Sequence, residues 1–187
     1  MRNRVFIIHG WGGKPDSEWF PWAKMQIEKL NFDVIVPEMP DTQHPKIDIW
    51  LGKLKEVVEE VKTNDIFIGH SIGCQTILRY INSFTKNQKV GKLILVAPWW
   101  YLNLSTNDEK LIAKSWLEVN VDFDKIKSNT KKIICVFSDD DPVVPLDINV
   151  KFFKEKMNSE IIIERKKRHF SGDDGIFEIP SLLPLLK

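Results

Sequence analysis

Short apolar runs alternate with longer amphipathic stretches along this chain. The runs are rich in Val, Ile and Phe: Val5 to His9, Asp33 to Val36, Ile66 to Ile68, Leu93 to Ala97, Ile133 to Phe137 and Ile161 to Ile163. Each is too short for an ordinary helix and none alternates strictly, which is the pattern of strands covered on both faces. Helical spacing fills the gaps. It is seen in Trp22, Ile27 and Leu30 after the N-cap candidate Ser17, and in Trp50, Leu51, Leu54, Val57, Val58 and Val61 within residues 46 to 63. It recurs in Ile72 to Phe84, Leu146 to Met157 and Pro180 to Leu186.

Strand and helix in alternation predict an α/β fold, a mostly parallel sheet of about six strands flanked by helices. The longest insertion, residues 99 to 131, has room for two short helices, near Asp108 to Trp116 and Asp122 to Lys127, and for no large lid domain. With 187 residues, 43% of them hydrophobic, residues 1 to 187 are expected to form a single domain around one core.

Charge narrows the function classes. Lys plus Arg (27) nearly balances Asp plus Glu (26), so there is no overall positive field to gather nucleic acid or anionic lipid. No apolar stretch reaches the ~18 residues of a membrane helix, and the run in MRNRVFIIHGWGG is too short for a signal peptide. A cytoplasmic protein is expected, in which Cys74 and Cys135 stay buried thiols.

Parallel sheets place their chemistry just beyond the carboxyl ends of the strands. There the sequence reads His9-Gly10-Trp11-Gly12-Gly13, Met39-Pro40-Asp41, Gly69-His70-Ser71-Ile72-Gly73, Pro98-Trp99-Trp100, Asp139-Asp140-Asp141-Pro142 and Arg168-His169-Phe170. A serine on a tight strand-to-helix turn takes a strained backbone conformation, and side chains two residues to either side would collide. Gly69 and Gly73 remove that collision and leave the Ser71 hydroxyl above the sheet. The helix starting at Ile72 aims unpaired N–H groups at the same spot, so Ile72 N–H is a candidate oxyanion donor. Trp11 N–H, following the His-Gly pair, is the second candidate.

A serine needs a base, and the base needs a carboxylate. His169 and one of Asp139, Asp140 and Asp141 supply them in the chain order Ser, Asp, His, the order of the α/β-hydrolase fold. Each residue also has a structural reading. Ser71 could be a helix N-cap, His169 a surface histidine, and the aspartates turn or cap residues before Pro142.

These motifs together resemble the compact α/β-hydrolase family of retinoblastoma-binding protein nine and related small bacterial serine hydrolases. The likeness runs nearly end to end: HGWGG, Glu18-Trp19-Phe20-Pro21-Trp22, Pro37-Glu38-Met39-Pro40, Asp48-Ile49-Trp50, the serine pentapeptide with Arg79-Tyr80, Asp140-Asp141-Pro142, and His169-Phe170 leading to Gly175-Ile176-Phe177. The resemblance implies a triad of Ser71, Asp141 and His169, with Asp140 the alternative acid, and a carboxylesterase-type hydrolase on a minimal α/β-hydrolase fold. The chain departs from the family in two places. It has no LxCxE motif for the retinoblastoma pocket, and Arg168 stands where a glycine usually precedes the histidine.

Around the site, His9, Gly10, Trp11, Trp99, Trp100 and Tyr101 are candidates for a substrate pocket, with core packing the competing reading for the aromatics. Trp19, Trp22 and Trp50 fall on helical stretches and read as core. The basic run Arg165 to Arg168 reads as the solvated end of an edge strand, with attraction of an anionic substrate the lesser reading; Asp173 and Asp174 offset its charge. His9, His44 and His70 lack metal-ligand spacing, so no metal and no cofactor are expected. The predicted activity is cleavage of a small-molecule ester or thioester through an acyl-serine. A peptidase or amidase with the same triad, or an interaction module on a hydrolase scaffold, are the alternatives.

Overall fold

A computed structural model describes residues 2–187. Six strands, β1 (Arg4–Ile8), β2 (Asp33–Ile35), β3 (Ile66–His70), β4 (Val90–Val96), β5 (Thr130–Ser138) and β6 (Glu160–Glu164), form one sheet in the order β2-β1-β3-β4-β5-β6. Every neighbouring pair is parallel. The expected strands are all present, and several are longer than their apolar runs. In β5 the ladder continues through Thr130, Lys131 and Lys132, because backbone pairing does not need apolar side chains where a strand emerges into solvent.

The helices are α1 (Phe20–Lys29), α2 (Ile47–Val58), α3 (Ile72–Asn82), α4 (Asn107–Leu117), α5 (Phe123–Ser128) and α6 (Leu146–Met157), followed by a 3₁₀ helix over Pro180–Leu186. α2 packs on α3, α3 on α5 and α5 on α6, while α1 meets the terminal 3₁₀ helix. Right-handed crossovers require this partition, since the chain steps one way from β1 to β2 and the other way thereafter.

Three expected boundaries need correction. Ser17 does not cap α1: Trp19 is the N-cap, Pro21 lies in the first turn, and the Ser17 hydroxyl instead closes a turn by donating to Lys14 O. α2 stops at Val58 rather than running to 63, because Glu59 turns to φ 56° and breaks the helical path. Pro180–Leu186 is 3₁₀ rather than α, since Pro184 inside it has no N–H to give to an α-helical ladder.

α3 is buried from Ile72 through Ile81, as a helix covered on several sides must be. Most of its buried polar groups are satisfied internally, with Arg79 Nε left without a partner. The Gln75 amide donates to Trp99 O, and Arg79 donates to Gln75 O and to Trp116 O at the end of α4. Trp19 and Trp50 are fully buried, as expected, and Trp22 packs partly buried against the core.

Candidate active site

The strand order reverses between β1 and β3, so the loops after these two strands diverge and leave a crevice at the sheet's carboxyl edge. Ser71 lies there, on the turn between β3 and α3, at φ 51° and ψ −116°. This is a costly conformation for a residue with a side chain, and it is held from both sides. Ser71 N–H donates to Val96 O at 3.0 Å, and Ser71 O accepts from Cys74 N at 3.0 Å.

The flanking glycines are required by contacts rather than by flexibility. A Cβ on Gly69 would sit 2.8 Å from Cys74 N, and one on Gly73 would lie 2.7 Å from His9 O and overlap Ile8 O. Close approach of α3 to β1 thus fixes Gly73, and close approach of β3 to the first turn of α3 fixes Gly69.

The loop after β6 brings His169 over the serine. His169 Nε2 is 3.0 Å from Ser71 Oγ, and His169 Nδ1 is 2.9 Å from Asp141 Oδ2. Asp141 is itself anchored: its Oδ1 accepts from Val143 N at 2.8 Å and Val144 N at 2.9 Å. With the carboxylate an acceptor only, Nδ1 carries the ring proton and Nε2 presents its lone pair to the Ser71 hydroxyl.

The other two aspartates of the run brace the loop. Asp140 Oδ1 accepts from Ser138 Oγ and from Arg168 N, both at 2.7 Å, and these bonds hold its carboxyl below the usual range. Asp139 Oδ1 accepts from Lys166 N at 2.8 Å. Arg168 sits at φ 46°, which explains why a glycine suits that place. The arginine is kept there by its bond to Asp140 and by Nε donating to Asp174 Oδ1 at 2.8 Å. Asp174 Oδ2 also accepts from His169 N at 3.0 Å, a contact no motif announced. Burial raises the Asp174 carboxyl, but bonds from Ser171, Arg168 and His169 outweigh it and leave the group lowered.

The N–H of Ile72 opens α3, and Trp11 lies on the loop after β1. Among the described residues neither amide has a hydrogen-bond acceptor within the chain. His9 is buried beneath that loop: its Nε2 accepts from Met39 N at 3.1 Å, so its Nδ1–H donates to Gly10 O at 3.0 Å. Burial pulls the His9 pKa down.

Ser71 and His169 open into a cleft of about 910 Å³ whose apolar wall is Trp11, Trp99, Leu102, Leu104, Val143 and Phe177. Of the pocket candidates, Trp11 and Trp99 face it. Trp100 and Tyr101 do not, because their rings pack on Phe152, and His9 and Gly10 lie behind the wall. No residue of the basic run 165–168 lines the cleft; its acidic side chains are Glu18, Glu109, Asp173 and Asp174. Leu102 and Leu104 gave no sequence signal, being single apolar residues in an irregular segment, and Phe177 entered only through the family likeness, with no role attached. Cys74 and Cys135 are free and buried, and burial raises both thiols, Cys135 to about 12.

The fold is that of the α/β hydrolases. The structure superposes on that of the ydeN gene product of B. subtilis with a TM-score of 0.89 at 24% identity, covering 98% of this chain and 96% of the other. It superposes on Est1E of Butyrivibrio proteoclasticus, solved with ferulic acid bound, with a TM-score of 0.71 at 16% identity, covering 90% and 82%. Residues 5–187 match the family described as serine hydrolase, and the chain belongs to it. Relatives by sequence include YdeN of Bacillus subtilis (strain 168), 25% identical over 186 residues (100% of this chain, 95% of YdeN). Serine hydrolase RBBP9 of Rattus norvegicus is 30% identical over 147 residues, 76% of this chain and 74% of its own length.

Proposed function

We propose that the protein is a carboxylesterase-type serine hydrolase that cleaves small esters or thioesters through an acyl-serine intermediate. The observation that carries this reading is the unbroken chain Ser71 Oγ, His169 Nε2, His169 Nδ1, Asp141 Oδ2, with links of 3.0 and 2.9 Å. Ser71 Oγ bonds to the carbonyl carbon as its proton passes to His169 Nε2. The oxyanion so formed is received by the N–H groups of Ile72 and Trp11. Collapse of the adduct breaks the bond to the leaving oxygen or sulfur, which takes the proton from Nε2. Water then repeats the sequence, its proton going to His169 while Ser71 is released. Asp141 keeps its charge throughout and supports the imidazolium.

The apolar wall suits an uncharged acyl group, since Trp11, Trp99, Leu102 and Leu104 offer surface rather than ionic partners. With four acidic side chains in its lining, the cleft disfavours anionic substrates. Among the described residues no helix is long and apolar enough to cross a membrane, and the two buried thiols suit a reducing, cytoplasmic setting.

The test is hydrolysis of p-nitrophenyl esters of graded acyl length. Ser71→Ala and His169→Ala are expected to lower kcat by at least about 10³-fold in folded protein. Retention of the wild-type rate by Ser71→Ala would end the proposal.

A further inference from the structure

One acid in the cleft wall has no part in the reaction above. Glu18 lies just before α1 at φ 54°, a strained conformation for a glutamate, with its side chain largely buried. Its Oε1 faces Gly172 N at 3.5 Å, and its Oε2 is buried without a hydrogen-bond partner. That oxygen is 3.6 Å from Nδ1 of His70, which is equally buried and equally unpartnered.

The proton positions follow from the other side of the His70 ring. His70 Nε2 lies 2.8 Å from the backbone carbonyl of His169. A carbonyl only accepts, so Nε2 carries hydrogen. Burial, then the neighbouring His169, pushes the His70 pKa down to about 3, so the ring is neutral and Nδ1 is a bare lone pair. Two acceptors therefore face each other in a dry place, an arrangement that one proton resolves. Elsewhere around the ring the packing is close. A Cβ on Gly10 would be 2.9 Å from that same Nδ1, and Trp19 and Phe20 pack around the ring.

We propose that Glu18 and His70 form a positioning relay for the catalytic histidine. Protonated Glu18 Oε2–H donates to His70 Nδ1, the gap closing to about 2.8 Å, and His70 Nε2–H holds the carbonyl of His169. This rests on the triad reading. His169 is then fixed at three points: its N–H on Asp174, its carbonyl on His70 and its ring on Asp141.

The charged and titratable groups that bear on the pair are His9 from the end of β1, and His169, Asp173 and Asp174 from the loop after β6. Burial raises the Glu18 pKa most; the Gly172 bond and His169 oppose it, and Asp173 and Asp174 add to it. As pH rises and Glu18 ionises, the carboxylate meets the lone pair of Nδ1 and the link opens.

The experiment compares wild type, Glu18→Gln and Glu18→Ala on a p-nitrophenyl ester from about pH 5 to about pH 9. The glutamine amide is a permanent donor of nearly the same shape, so its kcat stays within about twofold at acidic pH, while alanine loses about tenfold in kcat with KM held. The ratio of kcat for Glu18→Gln to that of wild type rises with pH, which a merely structural Glu18 would not produce. In parallel, ¹⁵N NMR of histidine-labelled Ser71→Ala protein reads the His70 tautomer without any need for hydrolysis. Protonated Nε2 with a hydrogen-bonded Nδ1 is expected. A flat ratio across pH, full activity in Glu18→Ala, or an Nδ1–H tautomer each overturns the relay. Wild-type hydrolysis by Ser71→Ala would instead strike the triad reading.

Discussion

Asp141 and His169 are 28 positions apart in sequence, yet Asp141 Oδ2 lies 2.9 Å from His169 Nδ1 while the carboxylate's other oxygen is tied to two backbone amides. Asp140, next in the chain, touches the histidine loop only through the backbone N–H of Arg168. The two carboxylates therefore make separable predictions. Asp141→Asn should lower kcat by about 10³ to 10⁴-fold, because an amide cannot support an imidazolium or fix the ring's tautomer. Asp140→Asn should loosen the loop and cost far less, on the order of tenfold. Steady-state kinetics on both variants, with circular dichroism as a check on folding, decide the matter.

Gly73→Ala is expected to destabilise the fold rather than retune the site. The added methyl would press on the carbonyls of Ile8 and His9, which are backbone atoms at the carboxyl end of β1 and cannot swing aside. A loss of about 2–4 kcal/mol is expected in denaturant unfolding. Gly52, whose Cβ would meet nothing within 4 Å, is the control: an alanine there, inside α2, should gain up to about 1 kcal/mol.

Arg168 offers a direct measure of backbone strain. Arg168→Ala keeps φ 46° and loses the partly exposed ion pair to Asp174, whereas Arg168→Gly loses the pair and relieves the strain. The glycine variant should be the more stable of the two by about 1 kcal/mol. Equal melting temperatures would show that the loop relaxes at no cost.

Buried histidines set a pH dependence of stability whose sign is fixed. The folded pKa of His70, about 3, lies below its ordinary 6.5, so the unfolded chain binds the proton more readily between those values. Stability is therefore full above about pH 6.5 and falls as pH drops toward about 3, by up to several kcal/mol. His9, lowered by burial, acts in the same direction. His70→Gln, whose longer amide can keep a donor near the Nε2 position for His169 O, should flatten this limb in urea titrations taken at successive pH values.

Much of this molecule was legible before its coordinates. Strand runs such as Ile66 to Ile68 are short and apolar because both faces are covered, and the pentapeptide around Ser71 gave the sharp turn through its glycines. The chain order placed an aspartate and a histidine after later strands. What stayed hidden depends on contacts between distant segments. Trp100 and Tyr101 are held away from the cleft by Phe152, more than a quarter of the chain further on, whose ring packs against both. Asp174 on the His169 amide, and Glu18 opposite His70, lie in irregular segments with no period to read. Ser17 had the right residue type for a helix cap but spent its hydroxyl on a local turn.

The central claim is that Ser71 becomes covalently acylated. Incubation with a fluorophosphonate followed by peptide mass spectrometry tests it most directly. A single adduct on the peptide containing Ser71, absent from Ser71→Ala and strongly slowed in His169→Ala, is the predicted result. Folded wild-type protein that takes no label, or that carries it on another residue, would contradict the account.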